Sequence, residues 1–550
     1  MNWQQTYTLF GQGTAVSATI AALPVLTVLL LLGVLRKPAW LAGLWGLGIS
    51  LLVALTCYRM PAVLAFSAAA YGVAFGLFPI CWIVFWAIAL FRITTVTGKF
   101  ALIRALIGQL TQDAPSQALL IAFAFGAFIE GAAGFGTPVA IAAAMMAGLG
   151  FSPFRAAAIC LLANTAPVAF GSIGTPLLTL SATTGLPLLK LSAAVAAICA
   201  PVALIVPAYM VLAMGGWRML RFAIVPCVVT GVVFGGTQFV VGTYVGPALT
   251  DILASIFAML ALFLLCRFRP TTGVPPELEA AFRGERDAIA PAADGTDLLQ
   301  LSVSDVVTAW MPYAFLVVFV LLWSVKPVQH LLAAGTFNVT WPMLHDQVFR
   351  MAPVVAQKQP YHAPFVLNLL AASGTSCMGA TICSALFLRV SLRTFGQVLA
   401  ATAKQLMLPV TTVVSVLGMA FLMNYSGATA TLGLAFAASG ALFPFFSAIL
   451  GWIGVFLTGS DTSANALFGS LQVVTAERLG LSPVLMAAAN SSGGVVGKMI
   501  SLQTIVVAAA ATGMDNDNQS KLFRLMLKHS VLLAAVVGCL ALLYTHFLHF

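Results

Sequence analysis

Residues 456–472 read "FLTGSDTSANALFGSLQ". An aspartate, several hydroxyls and an amide stand here between long apolar runs. Residues 128–144, "FIEGAAGFGTPVAIAAA", repeat the situation, with one carboxylate beside a glycine in an otherwise apolar run. Such stretches are intelligible in a chain whose solvent is lipid. Of the 550 residues, 61% are hydrophobic and 7% charged, against about 25% charged in a soluble domain. A water-soluble fold of this composition would lack the polar surface to cover its apolar interior. Apolar runs recur from residue 16 to the end of the chain. At about 20 residues per crossing, they predict an all-α polytopic membrane protein with about 12–14 transmembrane helices, some runs being half-spans or hairpins.

The net charge is +10. The basic residues lie between apolar runs, which reads as membrane topology and not as nucleic-acid binding. Clusters at Arg36/Lys37, Arg92/Lys99/Arg104, Arg218/Arg221, Arg267/Arg269/Arg283/Arg286, Arg389/Arg393/Lys404 and Lys521/Arg524/Lys528 are expected to face the cytoplasm, which leaves both termini outside. Residues 16–35 are too long for a signal-peptide core and read as a retained first helix. The polar segment 268–303, with Pro, Gly and mixed charges, reads as a cytoplasmic linker between a first transmembrane half, 1–267, and a second, 304–550. Residues 327–362 form a second, extracytoplasmic loop. The nine cysteines are scattered without a CxxC pair, and the six histidines fall in loops or near span ends. Neither a disulfide framework nor a metal site is expected, and no cofactor.

The two opening stretches belong to a repeat. Gly126, Phe128 and Gly131 match Gly454, Phe456 and Gly459 at a shift of 328. "LGFSP" at 149–153 matches "LGLSP" at 479–483 at 330, and "NTAPVAFG" at 164–171 matches "NSSGGVVG" at 490–497 at 326. Each copy then carries a helix breaker: "NTAPVAFGSIGTP" at 164–176 and "NSSGGVVGKMISLQ" at 490–503. Proline removes a backbone donor and glycine loosens the helix. Unwound backbone survives in a membrane only where it lines a cavity or is buried in protein. Repeats with paired broken helices are the mark of secondary transporters, whose sites form where the two copies meet.

The same residues carry a resemblance. "FIEGAAGFGTPVAIAAA", "NTAPVAFGSIGTP", "GWIGVFLTGSDTSANALFGSLQ" and "NSSGGVVGKMIS", with "AWMPYAFLVVFVLLWSV" at 309–325 and "NYSGATATL" at 424–432, closely resemble the bacterial L-lactate permease family over nearly the whole chain. The resemblance implies a symporter of the cytoplasmic membrane that moves L-lactate with a proton and accepts glycolate, D-lactate or other 2-hydroxymonocarboxylates. It also implies inverted repeats with re-entrant hairpins. One departure is Leu502, where the family pattern has a proline.

A lactate site needs a positive anchor, hydroxyl partners and a small apolar wall. Lys498 is the candidate anchor, because no other charge lies near it in sequence. A charge at the bilayer centre costs about 2.5–3.5 kcal/mol, so this lysine needs a partner, either the substrate carboxylate or a permanent ion pair with Asp461. Asp461 and Glu130 are the candidate proton carriers, since a carboxyl group removed from water takes up a proton more readily. A cap or ion pair that holds the adjacent turn is the plainer role for each. Arg155 is either an interfacial anchor or a partner of Glu130. Asn164 and Asn490 stand at equivalent positions and suit freed backbone groups or a ligand hydroxyl. Ser460, Thr462, Ser463 and Asn465 are candidates for the 2-hydroxyl. Gly134, Gly136, Gly171 and Gly497 allow close approach of a ligand or of another helix. The implied partners are the small substrate, protons and membrane lipid.

Other classes fit less well. "SGGVVGKM" lacks the first glycine and the Ser/Thr of a phosphate-binding loop. An intramembrane enzyme would need a base or a metal, and the embedded segments hold no histidine. Paired broken helices favour alternating access over an open channel. A sodium-coupled or dicarboxylate carrier on the same scaffold is the alternative, although a dicarboxylate would want a second cation.

Overall fold

The computed structural model describes residues 2–11, 13–110, 113–134, 137–268, 274–284, 302–355 and 357–547. The fold is mainly helical. Among the described residues, ten helices are long and apolar enough to cross a membrane, or twelve if each of two bent pairs counts as one span. Their outer faces carry large apolar side chains that no protein covers, such as Leu26, Leu30, Val228, Val232, Leu260 and Leu264. In lipid those faces need no cover. Leu188–Tyr244 is a single 57-residue element that reverses at Gly216, where φ is 70°. Its two arms pack closely: a Cβ on Gly235 would sit 2.9 Å from the Ala200 carbonyl oxygen.

The expected repeat is visible as two copies of a hairpin followed by a broken span. The first hairpin is Ala114–Ala132 and Thr137–Gly148, and the first broken span is Pro153–Ala163 and Gly171–Thr184. The second hairpin is Phe443–Thr458 and Asp461–Leu479, and the second broken span is Pro483–Gly497 and Leu502–Thr512. The broken spans bend by 66° and 41°. In the first, Ser172, Ile173 and Gly174 are all left-handed, at φ of 48°, 57° and 75°. A buried β-branched residue in that region is a true outlier and marks a strained site. In the second, Ser501 interrupts the helix and caps the next piece, its Oγ accepting from Thr504 N at 3.2 Å. A serine cap thus makes the break that the proline missing at Leu502 would have made.

The two copies run in opposite senses. Asn465 Nδ2 donates to Pro176 O and Ser470 Oγ to Thr183 O, at sequence offsets of 289 and 287. A nearly constant offset, with both numbers rising together, means parallel chains. The returning arm of the second hairpin therefore leaves the site towards the same face as the second piece of the first broken span. The second hairpin opens on that face. The first broken span entered from the other face, on which the first hairpin opens. The hairpins thus reach inward from opposite sides and their tips meet in the middle. Inversion of the repeat, which the sequence suggested through the family resemblance, follows here from register.

The second loop, expected at 327–362, carries short strands. Thr336–Thr340 pairs antiparallel with Pro364–Asn368, and Val348–Arg350 pairs with Gln359–Pro360 and, in parallel, with Trp3–Gln4. These small sheets cap the face on which the second hairpin opens, and Gln5 Nε2 donates to Asn424 O and Tyr425 O at 2.9 Å. Of the expected linker 268–303, the Pro276–Arg283 helix is docked on the opposite face. Phe282 is fully buried against Phe151, and Arg283 Nη1 donates to Leu149 O at 2.6 Å. Residues 269–273 and 285–301 lie outside the described residues.

Candidate functional site

The hairpin tips and the two breaks enclose a cavity of about 230 Å³. At about 30 Å³ per water, that holds a small anion and a few waters, and it is below the about 300–1,000 Å³ of a drug-sized site. Glu130, Gly171 and Ser172 line it from the first copy, and Ser460, Asp461, Thr462, Ser463, Lys498, Gln503 and Thr504 from the second. Pro409, Thr412 and Val413 close it from the Leu392–Ser426 helix. A larger groove of about 1450 Å³ lies between Thr14–Gly33 and Asn516–Phe547, walled mainly by leucines and other apolar side chains. Its composition suits lipid chains, and Gln503 stands in the wall between the two spaces.

Lys498 is buried and its Nζ donates to Glu130 Oε1 at 2.6 Å. The partner is thus Glu130 of the opposite copy, whereas the sequence suggested Asp461 or the substrate. Glu130 Oε2 has no protein partner. Gly171 lies directly against the carboxylate, and a Cβ there would sit 2.7 Å from Oε1. Arg155 does not reach Glu130, and its Nη1 donates to Met214 O at 2.5 Å instead.

Asp461 is the first residue of the second hairpin's returning arm, at the tip. Its Oδ2 accepts from Ser491 Oγ at 2.7 Å and from Asn465 Nδ2 at 3.2 Å, and its Oδ1 has no protein partner. Ser460 caps the same helix, its Oγ accepting from Ser463 N at 3.3 Å. Two capped helix N-termini, at Ser460 and Ser501, therefore come to one cavity. Free N–H groups at helix N-termini favour an anion.

Asn465 and Asn490 do not line the cavity. They hold the segments behind it. Asn490 Nδ2 donates to Asn465 Oδ1 at 3.0 Å, and Gln472 Nε2 donates to Asn490 Oδ1 at 3.1 Å. Asn465 Nδ2 also reaches Ser491 Oγ at 3.1 Å and Pro176 O at 3.2 Å. Carbonyls freed by the first break find donors this way: Pro176 O from Asn465, and Ala166 O from Gln238 Nε2 at 3.0 Å. Asn490 sits inside the Pro483–Gly497 helix, about three turns before the break at Ser501, whereas Asn164 caps the helix that ends at the first break. The two positions match in sequence and not in role. Gly134 makes room for Ser172, and Gly497 for the Trp452 carbonyl, so both serve packing. Gly136 lies outside the described residues.

Sequence reasoning missed several members. Gln503 and Thr504 line the cavity, and Ser491 holds Asp461. Asp251 is fully buried near Glu130. Its signal was present, a lone carboxylate beginning an apolar run, but an acid at a helix start has an ordinary explanation. The fold also gathers His345, Asp346 and His362, whose candidate ligand atoms lie within 4.8 Å of one another. His345 Nδ1 accepts from Ala363 N at 3.0 Å, so its proton is on Nε2, which faces Asp346 Oδ2 at 3.4 Å. Asp346 Oδ1 lies 2.6 Å from His362 Nδ1. The group is joined by the His362–Asp346 hydrogen bond, and in the tautomer that accepts from Ala363 N, His345 presents a donor where a metal would need a lone pair.

The L-lactate permease family profile matches residues 17–548. The chain is 41% identical to the glycolate permease GlcA of Escherichia coli K12, covering 99% of this chain and 98% of that one. It is 40% identical to the L-lactate permease of Bacillus subtilis, over 99% of each chain. Among solved structures it is similar to the YdaH transporter of Alcanivorax borkumensis, at 14% identity and a TM-score of 0.44 over 87% of each chain. A multi-pass helical protein with this cavity, matched to the family from end to end, is a permease and not an enzyme: the chain belongs to the L-lactate permease family.

Proposed function

We propose that the chain is a proton-coupled symporter of L-lactate, glycolate and D-lactate in the cytoplasmic membrane. The names of its relatives suggest the substrate class, and the cavity volume suits it. The coupling rests on one observation. Lys498, the cation that lines the cavity, is already neutralised by Glu130 at 2.6 Å. A substrate carboxylate that takes Lys498 leaves Glu130 as an uncompensated buried charge, and such a charge costs several kcal/mol. A proton on Glu130 removes that cost. One anion then travels with one proton, and the step is electroneutral. Asp461, held by Ser491 and Asn465 with one free oxygen in the cavity wall, is the second candidate carrier.

The same reading assigns roles to the remaining parts. Ser460, Thr462 and Ser463 at the tip meet the 2-hydroxyl. Pro409 and Val413 supply the apolar wall for the methyl group. The hairpins, entering from opposite faces, gate the cavity alternately. The basic clusters put the face carrying Arg283 and the start of the Asn516–Phe547 helix in the cytoplasm, and the small sheets and both termini outside. The two halves, 1–267 and 304–550, work as the two members of the inverted pair, joined through 268–303.

The test is uptake of labelled L-lactate into proteoliposomes under an imposed pH gradient, with and without sodium. Sodium-independent uptake that follows the pH gradient is expected. Uptake that requires sodium replaces the coupling ion. Absence of uptake by folded protein removes the substrate.

A further inference from the structure

Asp251 is the second residue of the Thr250–Phe268 helix and is 1% exposed. Neither of its carboxylate oxygens has a hydrogen-bond partner. Buried polar groups are nearly always hydrogen-bonded, and each exception needs an explanation. A bare ionised carboxylate in a dry interior is far more costly than a neutral carboxylic acid. An intramembrane acid of this kind is a functional hypothesis by default.

Its neighbours narrow the explanation. Gly131, the residue after Glu130, packs directly on it: a Cβ there would come within 2.8 Å of Asp251 Cβ. The missing side chain lets Asp251 approach the tip of the first hairpin. Gln238 also lies beside it. Gln238 Nε2 donates one N–H to Ala166 O, and Gln238 Oε1 has no donor. An amide can donate or accept, so Gln238 can accept from a protonated Asp251 through Oε1 and face an ionised one with the second N–H of Nε2. The titratable or charged groups facing Asp251 are Glu130, Lys498 and Cys199. Lys498 is already held by Glu130. Asp251 does not line the substrate cavity, so it can exchange a proton without sharing space with the substrate.

We propose that Asp251 is a proton-carrying residue of the transport cycle, which holds a proton while Glu130 is paired with Lys498 and yields it to Glu130 when the substrate carboxylate takes the lysine. The inference rests on the proton-coupled reading above. The balance is simple. The O–H bond of Asp251 breaks and one forms on Glu130, while Lys498 remains an ammonium throughout. Asp251 then reloads from the side on which the substrate entered. The set of Asp251, Glu130, Lys498 and substrate is neutral before and after, with one proton taken up per anion. When the anion leaves, Glu130 gives up its proton and returns to Lys498.

Wild type, Asp251→Asn and Asp251→Glu are reconstituted. Net L-lactate uptake driven by a pH gradient is compared with lactate counterflow, which needs no net proton movement. In Asp251→Asn the ratio of counterflow to net uptake is expected to rise about tenfold or more, and the pH profile of uptake to flatten. Asp251→Glu, which keeps an acid, is expected to restore the profile. An unchanged ratio and pH profile in folded Asp251→Asn overturn the proposal. If the asparagine variant does not fold, infrared spectra of wild type with isotope-labelled aspartate decide. A protonated-aspartate carbonyl band that shifts when L-lactate is added supports the proposal, and its absence overturns it. Wild-type uptake that ignores the pH gradient overturns the coupling reading together with this inference, and does so before any variant is made.

Discussion

Lys498 and Glu130 lie 368 residues apart in sequence, in opposite copies of the repeat, and close to 2.6 Å in a buried ion pair on the wall of the cavity. One contact therefore binds the second broken span to the first hairpin. Any anion that uses Lys498 must compete with it.

The pair can be dissected by a double-variant cycle. Lys498→Met alone strands Glu130 as a buried unpaired charge, and the loss is expected to be about 3–5 kcal/mol. Adding Glu130→Gln removes the stranded charge and recovers most of that stability. L-lactate uptake stays absent in both. Thermal unfolding in detergent reads the first effect and proteoliposome uptake the second. A double variant no more stable than the single one would show that the pair is not what the lysine needs.

Binding of lactate is expected to depend on pH in a defined direction. If Glu130 takes up a proton when the substrate takes Lys498, binding consumes a proton. Affinity then weakens as pH rises, by up to about tenfold per pH unit for one proton. Glu130→Gln, already neutral, is expected to bind with a flat profile. Titration calorimetry in two buffers of different ionisation enthalpy gives the proton count directly. A count of zero in wild type contradicts the exchange.

Gly171 and Gly148 make a matched pair of tests. A Cβ on Gly171 would press on Glu130 Oε1 at 2.7 Å, whereas one on Gly148 would meet nothing within 4 Å. Overpacking of that kind costs about 1–3 kcal/mol. Gly171→Ala is expected to lose most uptake by displacing the carboxylate, and Gly148→Ala to transport like wild type. Equal activity of the two would mean that Glu130 has freedom the geometry does not suggest.

Asn465→Ala tests whether the amide network is scaffold or binding surface. The change removes the partners of Asn490 Nδ2 and Pro176 O. Each buried group left unsatisfied costs about 1–3 kcal/mol. A lowered unfolding midpoint is expected, with uptake per folded molecule largely kept. The opposite pattern, normal stability with weakened lactate binding, would return Asn465 to the binding surface.

Much of this arrangement was legible in the sequence, because charge in lipid is expensive and so draws notice. Glu130, Asp461 and Lys498 were each visible as a lone ionisable group among apolar residues. Their pairing was not, because it is made by segments hundreds of residues apart. Asn490 shows the limit of alignment: it matches Asn164 by position, yet the break in its copy falls about three turns later, at Ser501. Asp251 escaped because an acid in the first turn of a helix already has a sufficient local reason, and only burial distinguishes it. The strands at 336–368 were unreadable for a related reason, since short pairings in a polar loop leave no periodic pattern.

The Ala114–Ala132 helix, buried on every side, is the least apolar of the candidate spans. It carries Glu130 and exposes no face outside the protein. Its cover comes partly from later chain: Trp310 and Tyr313 pack on Phe128, and Lys498 neutralises the acid. At about 5–20 residues per second of synthesis, the 368 residues that separate Glu130 from its lysine take roughly 20–70 s. Throughout that interval the nascent first hairpin has an uncovered acid and no finished place to rest. The first hairpin is therefore expected to need a temporary cover until the second half arrives.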